Sequence, residues 1–165
     1  MRTEYLEVPF KNERLKGCRY QVAEKMDFMA KISRREAREI LVGLLFETEF
    51  RTDEDVNSIF SLAIEDREIP NNDYIRNTYF AICDNVEKID ATIGEHSKGW
   101  KPERMSKLSR SILRLCVYEM LYIDDIPYAV SINEAVEISK KFDDDKARPF
   151  INGILNSVKN QLEAK

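Results

Sequence analysis

A cluster of three arginines lies directly after a signal for the start of a helix. Ser33 and Glu36 have the spacing of a capping box, in which the serine caps the helix and the glutamate reaches back to the cap backbone. Arg34, Arg35 and Arg38 then lie within about 100° of one another around the helix axis. Three guanidinium groups at the positive end of a helix dipole suit phosphate oxygens. A solvated face with glutamates as local partners explains the same pattern, so the residues alone leave both interpretations open.

A second basic stretch runs from Lys98 to Arg114 and holds six basic residues and one acidic residue. Its charges recur about every third residue, which would form a stripe on one continuous helix. Pro102 and Ser109 argue against one continuous helix. Nucleic-acid binding is therefore as open as the alternative, which is solubility together with pairing to the acidic segment before this stretch. Arg114 lies inside the most apolar segment of the chain, and we expect it to pair internally rather than to contact a ligand.

The residues that catalysis usually needs are scarce. The single histidine, His96, excludes the usual Ser–His triad and most histidine-based metal sites. Asp143, Asp144 and Asp145 are adjacent, so their side chains point in different directions and do not predict a metal site. The sequence contains no glycine-rich phosphate loop, HExxH motif or nucleophile elbow. We therefore predict a protein that is not an enzyme and that holds no cofactor and no metal.

Length and composition favour one helical domain in the reducing cytoplasm. The chain has 165 residues, 43% hydrophobic and 34% charged, with only five glycines and five prolines. Its three cysteines are widely spaced, which argues against a disulfide framework. No apolar run approaches the roughly 18 residues of a membrane span, so we expect no membrane partner. Residues 51–96 hold 4 basic and 11 acidic residues, whereas residues 97–165 hold 12 and 10. This uneven charge excludes a uniformly basic nucleic-acid binder but allows a local basic face.

Hydrophobic periodicity after Ser33 predicts about seven helices and no sheet, so the predicted fold class is all-α. Apolar residues between Ile75 and Ile93 recur every three or four positions, which predicts one long amphipathic helix. The segment from Ser109 to Tyr122 is the most apolar and predicts the central buried helix.

Further helix starts are predicted from caps and prolines. Ser131 and Glu134 have the spacing of a second capping box. Pro102 is placed for the first turn of a short helix, and Pro149 for the start of the last one.

Residues 1–30 show no sustained period. The apolar residues of Tyr5–Phe10 would suit a short extended piece, although Pro9 argues against a central strand. We expect residues 1–30 to be an N-terminal extension, either an arm or a start site assigned too far upstream, and residues 31–165 to be the helical domain. The alternative is that Tyr5–Phe10 docks on the helices and covers an apolar groove.

Two stretches of the chain carry a specific resemblance. The first is SRREARE followed by LLF, within residues 33–46. The second covers residues 112–156 and contains ILRLCVYEMLY, DIPYAVSINEAVE, KKF and FINGILN. These residues resemble the NusB family of bacterial transcription antitermination factors, and the likeness extends over about residues 31–160. The resemblance implies an all-helical fold of seven helices in two sub-bundles, preceded here by the irregular extension.

The resemblance also implies a function. The family binds the boxA element of ribosomal RNA operon transcripts together with the ribosomal protein NusE, and the complex joins elongating RNA polymerase. The implied RNA contacts lie on the first helix and at the start of the last, at Arg34, Arg35, Arg38, Lys146 and Arg148. The implied NusE-facing surface includes Phe46 and Ser109. Family members occur as monomers and as dimers, so a homodimer stays open.

Two departures from the family pattern thin the basic patch. Many members have an arginine where Glu36 stands, and the acidic run before Lys146 would oppose RNA beside it. Two alternative functions stay open. One is a pure protein adaptor whose arginines are only solvated. The other is an accessory module of ribosomal RNA modification, because NusB-like domains also occur fused to ribosomal RNA methyltransferases; no such enzyme domain fits in 165 residues, so a separate enzyme would be required.

Overall fold

Seven α-helices build the part of the chain that the structure, a computed structural model, describes, which is residues 32–164. They are α1 (Arg34–Thr48), α2 (Val56–Asp66), α3 (Asp73–Asp84), α4 (Val86–His96), α5 (Lys107–Tyr122), α6 (Tyr128–Phe142) and α7 (Ala147–Glu163). A 3₁₀ turn at Pro102–Arg104 stands between α4 and α5. No strand occurs between residues 32 and 164, and the predicted all-α fold with seven helices is confirmed. The predicted extension at residues 1–30 lies outside the described residues.

Side-chain caps fix where several helices begin. Ser33 Oγ accepts a hydrogen bond from the backbone N–H of Glu36 at 3.1 Å, and the Ser33 N–H donates to Glu36 Oε2 at 2.7 Å. The predicted capping box of α1 is therefore confirmed. Side chains cap α2, α3 and α5 in a similar way, each accepting from a backbone N–H three residues later: Asp55, Asn72 and Ser106.

The prediction of one long helix over residues 75–93 is wrong, because the helix is interrupted at Asn85, between α3 and α4. The Asn85 side chain donates to the carbonyl oxygen of Ala81 at 2.8 Å, so it competes for a helical backbone acceptor. The apolar spacing continues across the break, since Ile82 and Ile89 are both buried. Periodicity alone therefore could not locate it.

The second predicted capping box is also wrong. Helix α6 begins at Tyr128, after Pro127, so Ser131 and Glu134 lie inside it. Ser131 instead donates a hydrogen bond to a buried carboxylate of α5, and Glu134 accepts from α1. The last helix begins at Ala147, two residues before its predicted start.

Helix α5 forms the centre of the core, as its apolar sequence predicts. Its residues Ile112, Leu113, Cys116 and Val117 are all at most 2% exposed. Helices α2 and α3 both pack on α1, and α4 and α6 both pack on α7, with α5 in contact with both groups. This arrangement brings the starts of α1 and α3 and the first half of α6 to one buried carboxylate of α5.

Candidate nucleic-acid interface

Arg34 is an exposed cation held on an aromatic ring. Its guanidinium carbon lies 4.2 Å from the centre of the Tyr74 ring, at the start of α3. Arg34 makes no ion pair with any residue of the described range 32–164. A guanidinium stacked on a ring keeps its charge and its N–H donors for another acceptor. The sequence therefore places a cation at the start of α1, and packing against α3 fixes its position.

Arg35 lies beside it and forms a two-pronged ion pair with Glu134 of α6. Arg35 Nε lies 3.0 Å from Glu134 Oε2, and Nη2 lies 2.6 Å from Oε1. These bonds lower the pKa of the Glu134 carboxyl below its usual value. The Arg35 side chain is 51% exposed, and the pair uses two of its five N–H donors. Arg35 is thus held in place with donors left for a ligand.

Arg38 is predicted to contact RNA, but the structure buries its side chain. The residue is 4% exposed, its Nε donates to Glu119 Oε1 at 2.8 Å, and its Nη1 lies 3.9 Å from Glu134 Oε2. On α1 it adjoins the core face that carries Leu41, so it turns inward once another helix supplies a carboxylate. In this geometry Arg38 supports the site from inside and does not offer its guanidinium to a ligand.

Glu119 is the carboxylate that joins these elements, and the sequence reading missed it. It is 1% exposed and accepts hydrogen bonds from Arg38, from Ser131 Oγ at 2.6 Å, and from the Tyr74 hydroxyl. Burial, together with this carboxylate, raises the pKa of Tyr74. Through Tyr74 the network reaches Arg34. The one available signal was an acidic residue inside the most apolar helix.

The second predicted RNA contact lies at the start of α7. Lys146 precedes the helix, is exposed and makes no ion pair within residues 32–164. Arg148 pairs with Asp145, three residues earlier. Asp144 Oδ1 accepts from the Lys146 backbone N–H at 3.0 Å. The acidic run therefore shapes the turn that presents Lys146, and it partly neutralises Arg148. No described contact joins this turn to the arginines of α1.

The two residues expected to face NusE lie in different settings. Ser109 is 4% exposed, and its Oγ donates to Asp143 Oδ2 at 2.6 Å, so it anchors the turn before α7 rather than offering its hydroxyl to a partner. Phe46 is half-buried and meets the ring of Phe50 edge to face, with centres 4.9 Å apart. Phe50 is 61% exposed, and Lys107 Nζ lies 3.8 Å from its centre. Phe46 thus belongs to an accessible aromatic surface, whereas Ser109 does not.

The arginines at the C-terminal end of the second basic stretch are held in ion pairs. Arg114 forms a two-pronged pair with Asp90, at 2.7 and 2.6 Å, and also pairs with Glu49. Arg110 pairs with the same glutamate. The expected internal pairing of Arg114 is therefore confirmed.

The histidine and the two described cysteines, which could take part in catalysis, are either hydrogen-bonded within the fold or at least partly buried. Both ring nitrogens of His96 are hydrogen-bonded to α7, Nδ1 to Ser157 Oγ and Nε2 to Gln161 Oε1, each at 2.8 Å. Burial raises the pKa of Cys83 to about 11 and raises that of Cys116 as well. Among residues 32–164, no three His, Cys, Asp or Glu side chains are grouped to hold a metal ion. Nor is any helix in that range long and apolar enough to cross a membrane.

Comparisons with known proteins agree with this fold. The model of the NusB family matches residues 35–160. The transcription antitermination protein NusB of Natranaerobius thermophilus is 45% identical over 135 residues, which are 79% of this chain and 97% of that protein. The structure of T. maritima NusB has a TM-score of 0.72 at 33% identity and covers 81% of this chain and 99% of its own. A crystal structure of the antitermination factors NusB and NusE in complex with double-stranded RNA has a TM-score of 0.69 at 26% identity and covers 78% and 96%.

These likenesses extend over nearly the whole length of the relatives and over the helices described above. Since the relatives are transcription antitermination proteins, the prediction that the chain is not an enzyme is confirmed. The chain belongs to the NusB family of transcription antitermination factors.

Proposed function

We propose that this chain binds the boxA element of ribosomal RNA operon transcripts together with the ribosomal protein NusE, and that the complex acts with elongating RNA polymerase in the cytoplasm. The observation that carries the proposal is the exposed Arg34, stacked on Tyr74 beside the half-exposed Arg35 at the start of α1. The likeness to a NusB–NusE pair in complex with double-stranded RNA supports both partners.

Arg34 and Arg35 are the primary RNA contacts in this proposal. Single-stranded RNA offers splayed bases and accessible phosphates, which suit guanidinium groups fixed on a rigid helix. Lys146 and Arg148 form a second contact at the start of α7. Arg38 acts as a positioning residue, because it holds Glu119 and approaches Glu134, the partner of Arg35.

NusE binds, in this proposal, at the aromatic surface of Phe46 and Phe50. Exposed aromatic rings are typical anchors of protein interfaces. Ser109 supports this region indirectly, through Asp143 and the turn that follows α6.

RNA titration with charge-matched variants tests the proposal. We expect Arg34→Ala/Arg35→Ala to weaken binding of a boxA-containing single strand by roughly tenfold or more, because each charge-assisted hydrogen bond contributes about 1.5–3 kcal/mol. The slope of log affinity against log salt should fall by about 0.7 for each lost phosphate contact. Lys88→Ala/Lys159→Ala removes the same charge from α4 and α7 and serves as the control. Unchanged affinity in a folded Arg34/Arg35 variant would refute the assignment.

Addition of NusE separates this function from the alternatives. The pair should bind boxA more tightly than either protein alone, and by linkage RNA should tighten the contact between the proteins by the same factor. A protein adaptor would bind NusE with no effect of RNA. An accessory module of RNA modification would show no preference for boxA over a scrambled strand.

A further inference from the structure

The N-terminal half of the second basic stretch, from Lys98 to Arg104, carries cations that are exposed and have no ion pair among residues 32–164. The α4–α5 connection, defined here as residues 97–106, holds the cations Lys98, Lys101 and Arg104 and a single acidic residue, Glu103. All three cations are exposed, and none has an ion pair among residues 32–164. Arg110 and Arg114, in the following helix, are neutralised by their pairs. Free positive charge is therefore concentrated on this short connection.

The α4–α5 connection also presents the one tryptophan of the chain. Trp100 is 58% exposed, which is unusual for a residue with so large an apolar surface. It meets the Phe150 ring at an interplanar angle of 71°, with centres 6.2 Å apart. A single T-shaped contact occupies at most one face of the indole. Since Trp100 is 58% exposed, part of the indole surface stays accessible to a stacking partner.

The backbone holds Trp100 in this position. Lys98 and Gly99 adopt left-handed conformations, with φ of 49° and 89°, which turn the chain sharply before Trp100. Ser97 Oγ bonds to the carbonyl oxygen of Gly94 at 2.9 Å and also to that of Trp100. Arg110 donates to the Pro102 carbonyl at 2.9 Å. The connection is therefore tied at both ends, and the ring is presented by an ordered turn.

Phe150, the ring that Trp100 contacts, lies between the α4–α5 connection and the second proposed RNA contact. Phe150 follows Lys146 by four residues at the start of α7, so the two lie on the same side of that helix. Trp100, through Phe150, adjoins the turn that carries Lys146. The α4–α5 connection and Lys146 therefore both adjoin the first turn of α7.

We propose that the α4–α5 connection is a further RNA-binding surface, on which one unpaired base stacks on Trp100 while Lys98, Lys101 and Arg104 contact the adjoining phosphates. The proposal rests on the proposed function and extends its RNA path. An accessible aromatic face flanked by cations is the combination that single-stranded nucleic acid recognises, because every base has a stacking face and every linkage a charge. The surplus of unpaired positive charge favours RNA over an apolar protein segment as the occupant.

Intrinsic fluorescence tests the stacking directly, because Trp100 is the only tryptophan in the chain. The full chain is titrated with a dye-labelled single strand containing boxA, and RNA anisotropy and tryptophan emission are recorded in parallel. We expect quenching that saturates together with the anisotropy. Trp100→Leu should weaken binding about 5- to 150-fold, the range for loss of one stacked base. Trp100→Phe, which keeps a ring, should lose much less.

A second variant leaves the ring contact with Phe150 intact. Lys98→Asn/Lys101→Gln removes two cations, and asparagine tolerates the left-handed backbone at position 98. We expect weaker binding and a salt slope lower by about 0.7 per lost contact. Lys88→Ala/Lys159→Ala, with the same charge change, should have a smaller effect.

The possible outcomes separate this inference from the proposed function. RNA binding with unchanged tryptophan emission, and with wild-type affinity in both variants, overturns the inference and leaves the proposed function standing. Variants that lose NusE but keep RNA would make the connection a protein-binding surface, which also overturns it. If the chain with NusE binds no RNA, the proposed function and this inference fall together.

Discussion

Replacement of Glu119 by glutamine tests the buried network beneath the α1 arginines. Glu119 is 1% exposed and Arg38 is 4% exposed, and their charged atoms meet at 2.8 Å. Glutamine has nearly the same shape but no charge, so Glu119→Gln leaves the buried Arg38 guanidinium without its hydrogen-bonded counter-ion and with only the more distant Glu134 carboxylate, 3.9 Å from its Nη1. Breaking such a pair by removing one partner costs about 3–5 kcal/mol. Glutamine keeps one oxygen acceptor, so we expect about 3 kcal/mol.

Thermal and urea unfolding, followed by circular dichroism, measure this loss. For a folded unit of this size, 1 kcal/mol corresponds to roughly 4 °C in the melting temperature, so the midpoint should fall by about 12 °C. Ser131→Ala is the matched control, because it removes a neutral donor to the same carboxylate and leaves the ion pair in place. We expect Ser131→Ala to cost about 1 kcal/mol.

A double variant separates lost charge pairing from general damage to the core. Arg38→Met/Glu119→Gln removes both charges, so no uncompensated charge stays buried. Replacing a whole buried pair is often close to neutral, and the double variant should therefore be more stable than Glu119→Gln alone. A loss below about 1 kcal/mol in Glu119→Gln would show that the pair is not desolvated as described. A double variant no more stable than Glu119→Gln would refute the assignment of the loss to Arg38.

Two further predictions concern acid stability and the N-terminal residues. Arg35 lowers the folded-state pKa of Glu134, so this carboxylate stabilises the fold above its ordinary pKa of 4.5, and the contribution is lost as the pH falls through the lowered value. Urea midpoints measured between pH 3 and pH 7 should therefore fall more steeply in the wild type than in Glu134→Gln; parallel curves would contradict the assigned shift. A chain that starts at Met29 should keep its thermal midpoint and its RNA affinity, as expected of a dispensable extension; a midpoint lower by several degrees would indicate that Tyr5–Phe10 docks on the helices.

The sequence predicted most of the fold because most helices are encoded locally. The capping box at Ser33 and the apolar segment from Ser109 to Tyr122 each lie within a few turns of chain, and both predictions are confirmed. The helix break at Asn85 was not predicted, because the apolar spacing continues across it. The false capping box at Ser131 arose because the pattern was present while the helix had already begun at Tyr128.

The candidate site was harder to predict because its organisation depends on contacts between distant residues. Arg38 meets a carboxylate 81 residues later in the chain, and Arg35 meets one 99 residues later. Helical position puts Arg38 at the border between the solvent face and the core face, and only the facing helix decides which side it joins. For Arg38, the buried carboxylate of Glu119 on α5 determines that the side chain joins the core.

Burial together with ion pairing separates the cations that hold the fold from those that the proposed function assigns to RNA. Arg38, Arg110 and Arg114 are held by carboxylates at sites of low exposure, where salt screens charge only weakly. Arg34 lies on a ring, and Lys146 and the cations of the α4–α5 connection are exposed and unpaired among residues 32–164. Exposed charges are screened within about 10 Å at moderate salt. In the proposed function, RNA binds exposed cations, among them Arg35, which is 51% exposed although it pairs with Glu134. Salt that releases RNA should therefore leave the buried pairs, and the helices they join, in place.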